Sequence, residues 1–508
     1  MKNDENEKKQ KLIEISFYET SDAIIEEIYD VYRIPEKQFA VYAKSDGNIS
    51  YTDEVVLDNG QKIVPIQALV DKGVILLPSE AIMYSSEKEL INEITAFIHK
   101  HVDIHPFYEN IIARYVLMTW VYDNLSGVPY LRALGDYGTG KTRFIQTIGS
   151  LCYKPMFLAG ATSDAYLFRV IELFSGTLVI NELERVNTDL QSQITIILNN
   201  GYERGMPIGR VEGERKREPR TFDVFCPKII STRKRFDDQA LESRIISVPM
   251  RHTKRADITP FLSDDFWNSA REIRNKLLSY RFKHLHDSLY NEKENKRKEL
   301  LLSTLEPRLK QTLLPLLYII NDNDLEKQFI GYANKFQEDL IEVRGQEMTG
   351  LVFQKLYELY KINASKIAVR DVTEKVNGNI ENLRSKLSAH TIGKIIREEL
   401  GFKTHKGTGG LYYVSVADSQ MEYLISRYGL ESPLTPPSPL SDSDSKMDLV
   451  DSVDFKGDII KKEKDLREAL QVISKDDPSY ASMYRQWFAL REEGVQRGLW
   501  NLTPSPEE

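Results

Sequence analysis

Apolar positions recur along this chain with two different periods, and the switches between them divide it into segments. Near the N-terminus, FAVYAKSDGNISYTDEVVL (39–57) alternates apolar and polar residues around Asp46-Gly47. Period-two text broken by a turn dipeptide predicts hairpins, here within a small α+β domain over residues 1–85 whose folded text starts at residue 12. Ser86 then stands as an N-cap before EKELINEITAFIHKHV, and ENIIARYVLMTWVYDNL follows, so two helices lead in over 86–127. From Val128 to about Met250, the short apolar runs VPYLRAL, KPMFLAG, TLVI, CPKIIST and IISVPM are separated by helical patterns. That alternation predicts an α/β core with a mostly parallel sheet, assigned to 128–255.

Residues 256–345 read as helices throughout, among them REIRNKLLSYRFKHLH and QTLLPLLYII, and are assigned as a helical lid. Three helical patterns and a strand pair between Met348 and Val416 predict a further small domain over 346–418. After Tyr428 the text becomes SPLTPPSPLSDSDSK, too polar to bury a core. Residues 419–508 are read as a linker and a tail with two short amphipathic helices, EKDLREALQVI and YASMYRQWFALREEGVQRGLW. No internal repeat is evident.

Composition narrows the functional classes. A length of 508 residues implies several domains, with 41% hydrophobic and 28% charged residues in the balance of a globular protein. The most apolar text, IIARYVLMTWVY from Ile111, is interrupted by Arg114 and reads as a buried helix rather than a membrane span. The polar start MKNDENEKKQK lacks a secretory signal, which predicts a cytoplasmic protein with no membrane partner. Cys152 and Cys226 stand far apart without ligand spacing, so neither zinc nor a disulfide framework is expected. A net charge of −8 confines any nucleic-acid contact to local basic elements.

The strongest chemical signal is GDYGTGKT: Gly135, Asp136, Tyr137, Gly138, Thr139, Gly140, Lys141 and Thr142. It follows a strand-like run and precedes helical text, the context in which glycines let backbone N–H groups wrap phosphates at a helix N-terminus. Lys141 would reach the β- and γ-phosphates of ATP, and Thr142 would offer its hydroxyl to Mg²⁺. The alternative is a glycine-rich turn that binds nothing. About forty residues on, GTLVINELE places the strand-like run TLVI before Asn181 and Glu182. Glu182 can polarise an attacking water. Position 181 would hold the metal's water shell, but Asn181 brings a carbonyl without charge, which predicts reduced Mg²⁺ affinity or turnover, offset in part by Glu184. A buried strand with a solvated acidic end is the other reading.

Further on come PKIISTR, a short strand ending in polar residues, and DQALESR, a helix ending in Arg244. Together GDYGTGKT, LVINELE, KIISTR and ALESR resemble the four nucleotide motifs of AAA+ ATPases: Walker A, Walker B, sensor 1 and arginine finger. The resemblance covers about 120 residues and implies a P-loop NTPase core. It implies that Thr232 or Arg233 senses the γ-phosphate and that Arg244 reaches a neighbouring subunit's site in a homo-oligomeric ring. For Arg244 a structural ion pair is the alternative.

The short gap between the first two motifs resembles the superfamily-three helicase branch of AAA+, found in viral and plasmid replication proteins, whose members insert a β-hairpin before the sensor strand. MPIGRVEGERKREPRTFDVF fits that place, with Arg210, Arg215, Lys216, Arg217 and Arg220 making it basic. It would meet a DNA backbone, or else be a solvated charged loop.

The 346–418 text, helix, helix, helix, hairpin, resembles a winged helix. In its third helix Ile392, Ile395, Ile396 and Leu400 form the apolar stripe, between Ser388 as N-cap and Gly401 past the end. His390, Thr391, Lys394 and Arg397 are left outward to enter a major groove, with Lys403, His405 and Lys406 on the wing to touch phosphates. The same fold also serves protein contacts.

Two functions fit this text. One is an ATP-driven ring that translocates or unwinds DNA in the replication of a mobile element. The other is an ATP-gated switch or DNA-binding regulator without sustained hydrolysis, which Asn181 favours. A small-molecule phosphotransferase would need neither finger nor winged helix and ranks below both.

Overall fold

The computed structural model describes residues 12–29, 37–66, 74–158, 162–183, 188–212, 218–286, 292–363, 367–378, 386–407 and 410–430. The tail helices, the linker, Glu184 and the basic triplet Arg215, Lys216 and Arg217 lie outside them. The chain divides into two compact units, Met1–Gly331 and Tyr332–Glu508.

The first unit opens with strands β1 (Leu12–Glu14), β2 (Phe17–Glu19), β3 (Ala23–Tyr29), β4 (Lys37–Ala43), β5 (Ile49–Thr52), β6 (Val55–Val56) and β7 (Lys62–Val64). They form an antiparallel meander, β2-β3-β4-β5, and a small sheet, β1-β7-β6. The β4–β5 turn falls at Asp46-Gly47 as the sequence predicts: Gly47 takes φ 72°, and Asp46 Oδ1 accepts from the Asn48 N–H at 3.0 Å. Among the described residues of this segment the regular elements are all strands. Strands β3 and β4 bury Ile24, Ile25, Ile28, Phe39 and Ala40 on both their faces.

Two carboxylates are buried with them. Glu26 takes Lys154 Nζ at 2.8 Å, Arg281 Nε at 2.5 Å and the Tyr153 hydroxyl at 2.9 Å, and Arg281 also pairs with Asp123 at 2.6 Å. This network ties the N-terminal strands to the α/β core. Losing one member would leave a buried charge uncompensated, at a cost of about 3–5 kcal/mol.

The core follows, through α1 (Glu87–His101), α2 (Pro106–Trp120), β8 (Tyr130–Leu134), α3 (Lys141–Gly149), β9 (Met156–Leu158), α4 (Asp164–Phe174), β10 (Leu178–Ile180) and α5 (Thr188–Asn200). Next come the hairpin β11 (Ile208–Glu212) and β12 (Glu218–Phe222), then β13 (Lys228–Thr232), α6 (Gln239–Glu242) and β14 (Ile245–Pro249). Five of these strands make one sheet in the order β14-β8-β13-β10-β9, every neighbouring pair parallel. The chain is thus an α/β protein with a parallel sheet, consistent with a P-loop NTPase core. Ser86 caps α1 as expected, accepting from the Glu89 N–H.

Parallel strands need crossovers, and α3, packed on β8, β10 and β13, supplies the first. Helix α2 is buried along nearly its whole length, with the Tyr115 hydroxyl donating to the Lys228 carbonyl at 3.0 Å and Trp120 Nε1 to the Leu151 carbonyl at 2.9 Å. Lys228 itself is fully buried, its ammonium spent on the carbonyls of Gly201, Val224 and Cys226 at 2.8–2.9 Å. It closes the C-terminal end of α5, as cations do at that pole.

Helices α7 (Asp264–His284), α8 (Glu292–Leu301), α9 (Pro307–Ile319) and α10 (Asn323–Gln346) follow. The segments expected as a lead-in and a lid are packed together: α1 lies on α7, and α2 on α7 and α9.

The second unit contains α11 (Met348–Ile362), β15 (Ile367–Ala368), α12 (Val369–Gly378), α13 (Ala389–Lys394, continued as one π-helical turn over Ile395–Glu399), β16 (Lys403–Lys406), β17 (Tyr412–Ser415) and α14 (Asp418–Tyr428). Its strands form an antiparallel sheet ordered β15-β17-β16. The stripe Ile392, Ile395, Ile396 and Leu400 is buried, Ser388 caps α13 through the Thr391 N–H, and Gly401 takes φ 73°. Helix α14 lies beyond the expected boundary at 418, yet Met421, Leu424, Ile425 and Tyr428 complete the same core. No helix among the described residues is long and apolar enough to cross a membrane.

Candidate nucleotide site

Adjacent parallel strands β8, β13 and β10 all end at the same sheet edge, so the loops leaving them meet there. Residues 135–140 leave β8 and enter α3. Gly135 has no room for a side chain: a Cβ would stand 2.7 Å from the Met250 carbonyl oxygen and 2.9 Å from Thr139 Oγ1. Gly138 and Gly140 take φ 70° and 85°, the left-handed conformation that other residues adopt at a cost. Thr139 Oγ1 donates to the Asp136 carbonyl at 2.8 Å, which holds the loop closed. Lys141 is buried with its Nζ on the carbonyls of Gly135 and Asp136, both at 2.7 Å. An ammonium thus sits inside a ring of backbone at a helix N-terminus, where the dipole favours an anion.

The next residue, Thr142, meets Asn181 just beyond β10: Thr142 Oγ1 lies 3.5 Å from Asn181 Oδ1 and 3.4 Å from Asn181 Nδ2. Asn181 Oδ1 also accepts from Ser231 Oγ at 3.0 Å, and Ser231 Oγ accepts the Glu182 N–H at 2.8 Å. Glu182 stands at φ 48°, a left-handed conformation that costs a non-glycine residue about 1–2 kcal/mol and is fixed here by that hydrogen bond.

The residues fit a bound nucleoside triphosphate and its magnesium ion. Gly138 and Gly140 make the left-handed turns of the loop, and Lys141 brings a cation to its carbonyls. Thr142 and Asn181 would offer a hydroxyl and an amide oxygen to a hard cation, with Glu182 the adjacent carboxylate.

Two of the expected residues are held within their own chain. Arg244 is expected to reach across a subunit boundary, but it is buried in its own chain, with Nη1 on Asn199 Oδ1 at 2.6 Å and its guanidinium 4.1 Å over the Tyr202 ring. Thr232 is likewise buried: its hydroxyl donates to the Lys234 carbonyl at 2.8 Å, and its own carbonyl accepts the Gly135 N–H of the loop at 3.2 Å. Strand alternation explains the difference: its neighbour Ser231, one residue earlier, takes the face toward Asn181. Arg233 is brought to the site differently, its guanidinium 3.5 Å over the ring of Tyr137 in the phosphate loop.

Sequence reasoning missed Ser231, and also the pair Arg132–Glu242. Fully buried Arg132 on β8 makes two bonds to Glu242 at 2.5 and 2.7 Å, and Glu242 Oε1 accepts the Phe236 N–H at 2.6 Å. An arginine in the strand text YLRAL and a glutamate seven residues after Arg235 carried the signal, without saying that they meet. The pair fixes α6 and the turn after β13.

The basic hairpin forms with the register Ile208↔Phe222 through Glu212↔Glu218. Its stem arginines are engaged with α4. Arg210 pairs with Asp164 at 2.6 Å and lies 4.4 Å over Phe168, and Arg220 pairs with Glu172 at 2.8 Å. In the second unit His390, Thr391, Lys394, Arg397, Lys403, His405 and Lys406 are all exposed. Lys394 lies 3.7 Å from Glu398, and Arg397 Nη1 lies 3.4 Å from Thr404 Oγ1.

No protein-family model and no curated protein matches the chain. Solved structures similar to it include the active helicase Cch of a type IV SCCmec element, at 11% identity and TM-score 0.36, covering 82% of this chain and 100% of that one. They also include the apo C-terminal region of NrS-1, at 12% identity and TM-score 0.32 over 77% and 96% of the two chains. Cdc6p from Pyrobaculum aerophilum follows at 13% and 0.17 over 70% and 98%. At TM-scores of this size the functional reading rests on the geometry above.

Proposed function

We propose that this protein binds and hydrolyses ATP with an AAA+-like P-loop core and uses the cycle to act on DNA, as a helicase or translocase of the kind that serves mobile-element replication. One observation carries the reading: Lys141, Thr142, Asn181, Ser231 and Glu182 converge from three neighbouring strand ends on a single loop. Lys141 exchanges its two loop carbonyls for phosphate oxygens. Thr142 and Asn181 orient the metal's ligand shell, and bound Mg²⁺ supplies charge neutralisation on the phosphates. Glu182, held at φ 48° by Ser231, polarises the attacking water. Arg233 moves with the loop through Tyr137 and reports phosphate occupancy.

For the second unit, helix, strand, helix, helix and two further strands in that order support a winged-helix reading. Assembly into a homo-oligomeric ring stays part of the proposal. Steady-state ATPase rates of the full chain, with and without single-stranded DNA, test the whole: turnover should rise with DNA and vanish in Lys141→Ala. A DNA-independent absence of turnover with intact ATP binding would favour the second reading, an ATP-gated switch. The uncharged Asn181 is the observation behind that alternative.

A further inference from the structure

The second unit carries two exposed basic elements, and their electrostatics differ. On the third helix, Lys394 and Arg397 are followed at once by Glu398 and Glu399, two cations against two carboxylates, with Lys394 beside Glu398. On the strand pair β16–β17, Lys403 and Lys406 have no acidic partner among the described residues. Attraction for an anionic polymer is therefore concentrated on the strands.

The strand pair also has a distinct inner face. Side chains alternate across a sheet, so in the register Thr404↔Val414 and Lys406↔Tyr412 these four share one face. Val414 is buried at its root, and the hydrogen bond from Arg397 to Thr404 identifies this as the face toward the third helix. One pair further out, Tyr412 is 51% exposed, directly opposite Lys406. On the other face Tyr413 is used up internally. It stacks on His405 with centroids 6.0 Å apart and lies so close over Gly407 that a Cβ there would stand 2.5 Å from its ring.

We propose that Tyr412, with Lys406 opposite and Arg397 at the root, forms a base-stacking site for single-stranded nucleic acid. Unpaired bases stack on exposed aromatic rings regardless of sequence while cations track the backbone. A contact to duplex phosphates alone would have no use for the ring. This inference rests on the reading of the protein as one that acts on DNA.

The test uses the full chain and fluorescence anisotropy with three probes: a labelled oligothymidylate, an abasic strand of the same length, and a blunt duplex. Tyr412→Ala should weaken oligothymidylate binding by roughly 5- to 150-fold, the range of one base stack. It should leave the abasic strand and the duplex unchanged, and Tyr412→Trp should restore the loss. Lys406→Gln should weaken both single strands and flatten the salt dependence by about 0.7 in log–log slope, one phosphate contact. If Tyr412→Ala binds oligothymidylate like the wild type, or loses duplex and abasic binding equally, the stacking site is overturned while the DNA reading stands. If the wild-type protein binds none of the probes, the DNA reading falls, and this inference with it.

Discussion

Ser231 Oγ donates to Asn181 Oδ1 at 3.0 Å and accepts the Glu182 N–H at 2.8 Å, so one hydroxyl on the middle strand fixes both residues that follow β10. Replacing it by alanine would leave the Asn181 carbonyl free to rotate and Glu182 without the hydrogen bond that holds its left-handed backbone. Ser231→Ala should lower ATP turnover by about tenfold or more, equivalent to about 1.4 kcal/mol at the barrier, with ATP affinity nearly unchanged. Steady-state rates and a nucleotide-binding titration check this together, and equal rates would remove Ser231 from the site.

Asn181 and Glu182 should respond in opposite directions. Asn181→Asp adds a carboxylate 3.5 Å from the Thr142 hydroxyl, which should lower the Mg²⁺ concentration for half-maximal turnover and keep or raise the rate. Glu182→Gln should retain ATP while losing hydrolysis, because the amide accepts no proton from water. Magnesium titrations of both variants separate the roles. Normal turnover by Glu182→Gln would mean that another group polarises the water.

Arg244→Ala should destabilise the fold instead of stripping a neighbour's site. It removes the bond to Asn199 at 2.6 Å and the stack on Tyr202, a loss of about 2 kcal/mol for a buried charged hydrogen bond. Thermal unfolding should show a lower midpoint, and Arg244→Lys should not restore it, since lysine lacks the planar fork. Mixing Arg244→Ala with Lys141→Ala protein should give no activity above the sum of the two. Recovery on mixing would reinstate the cross-subunit role.

Glu27 makes the stability of the N-terminal module depend on pH. Burial pushes its pKa from 4.5 to about 7, against the opposing charge of Lys154 and the hydroxyl of Ser16. The folded chain therefore keeps a proton that the unfolded chain loses between about pH 4.5 and 7, so this group's contribution falls as pH rises through that window. Glu27→Gln should remove the fall, a difference on the order of 3 kcal/mol between the ends of the window. Denaturant melts of both proteins across it measure the difference, and parallel curves would place Glu27 in contact with water.

The strand runs and the glycine-rich loop were legible because both are local. The alternation around Asp46-Gly47, the Ser86 cap, the runs that became β8, β9, β10, β13 and β14, and the glycines of the loop each act within a few residues of themselves. Helix α14 was legible too, in the spacing of Met421, Leu424, Ile425 and Tyr428 before Gly429, but the polar linker beyond drew the boundary inward. What the text could not carry was pairing across distance. Arg210, Arg220 and Arg244 look alike as free cations in sequence, and only the fold brings Asp164, Glu172 and Asn199 to them. Ser231 against Thr232 is a choice of strand face, decided by which neighbour each side chain meets.

The hairpin offers the sharpest separation between a basic surface and a basic scaffold. Neutralising Arg215, Lys216 and Arg217 should weaken single-strand binding with little regard to sequence and flatten its salt dependence, as lost phosphate contacts do. Arg210 should behave otherwise, because its charge is committed to Asp164 at 2.6 Å. Asp164→Asn is the informative variant, since it leaves Arg210 in place and removes only the partner. Were Arg210 a phosphate contact restrained by Asp164, freeing it would tighten DNA binding and steepen the salt dependence. As a tie between the stem and α4, it should instead loosen the hairpin, so that protease cleavage within 208–222 speeds up and single-strand affinity drops with the salt slope unchanged. Binding isotherms across a salt series and a timed proteolysis of the same protein decide between the two.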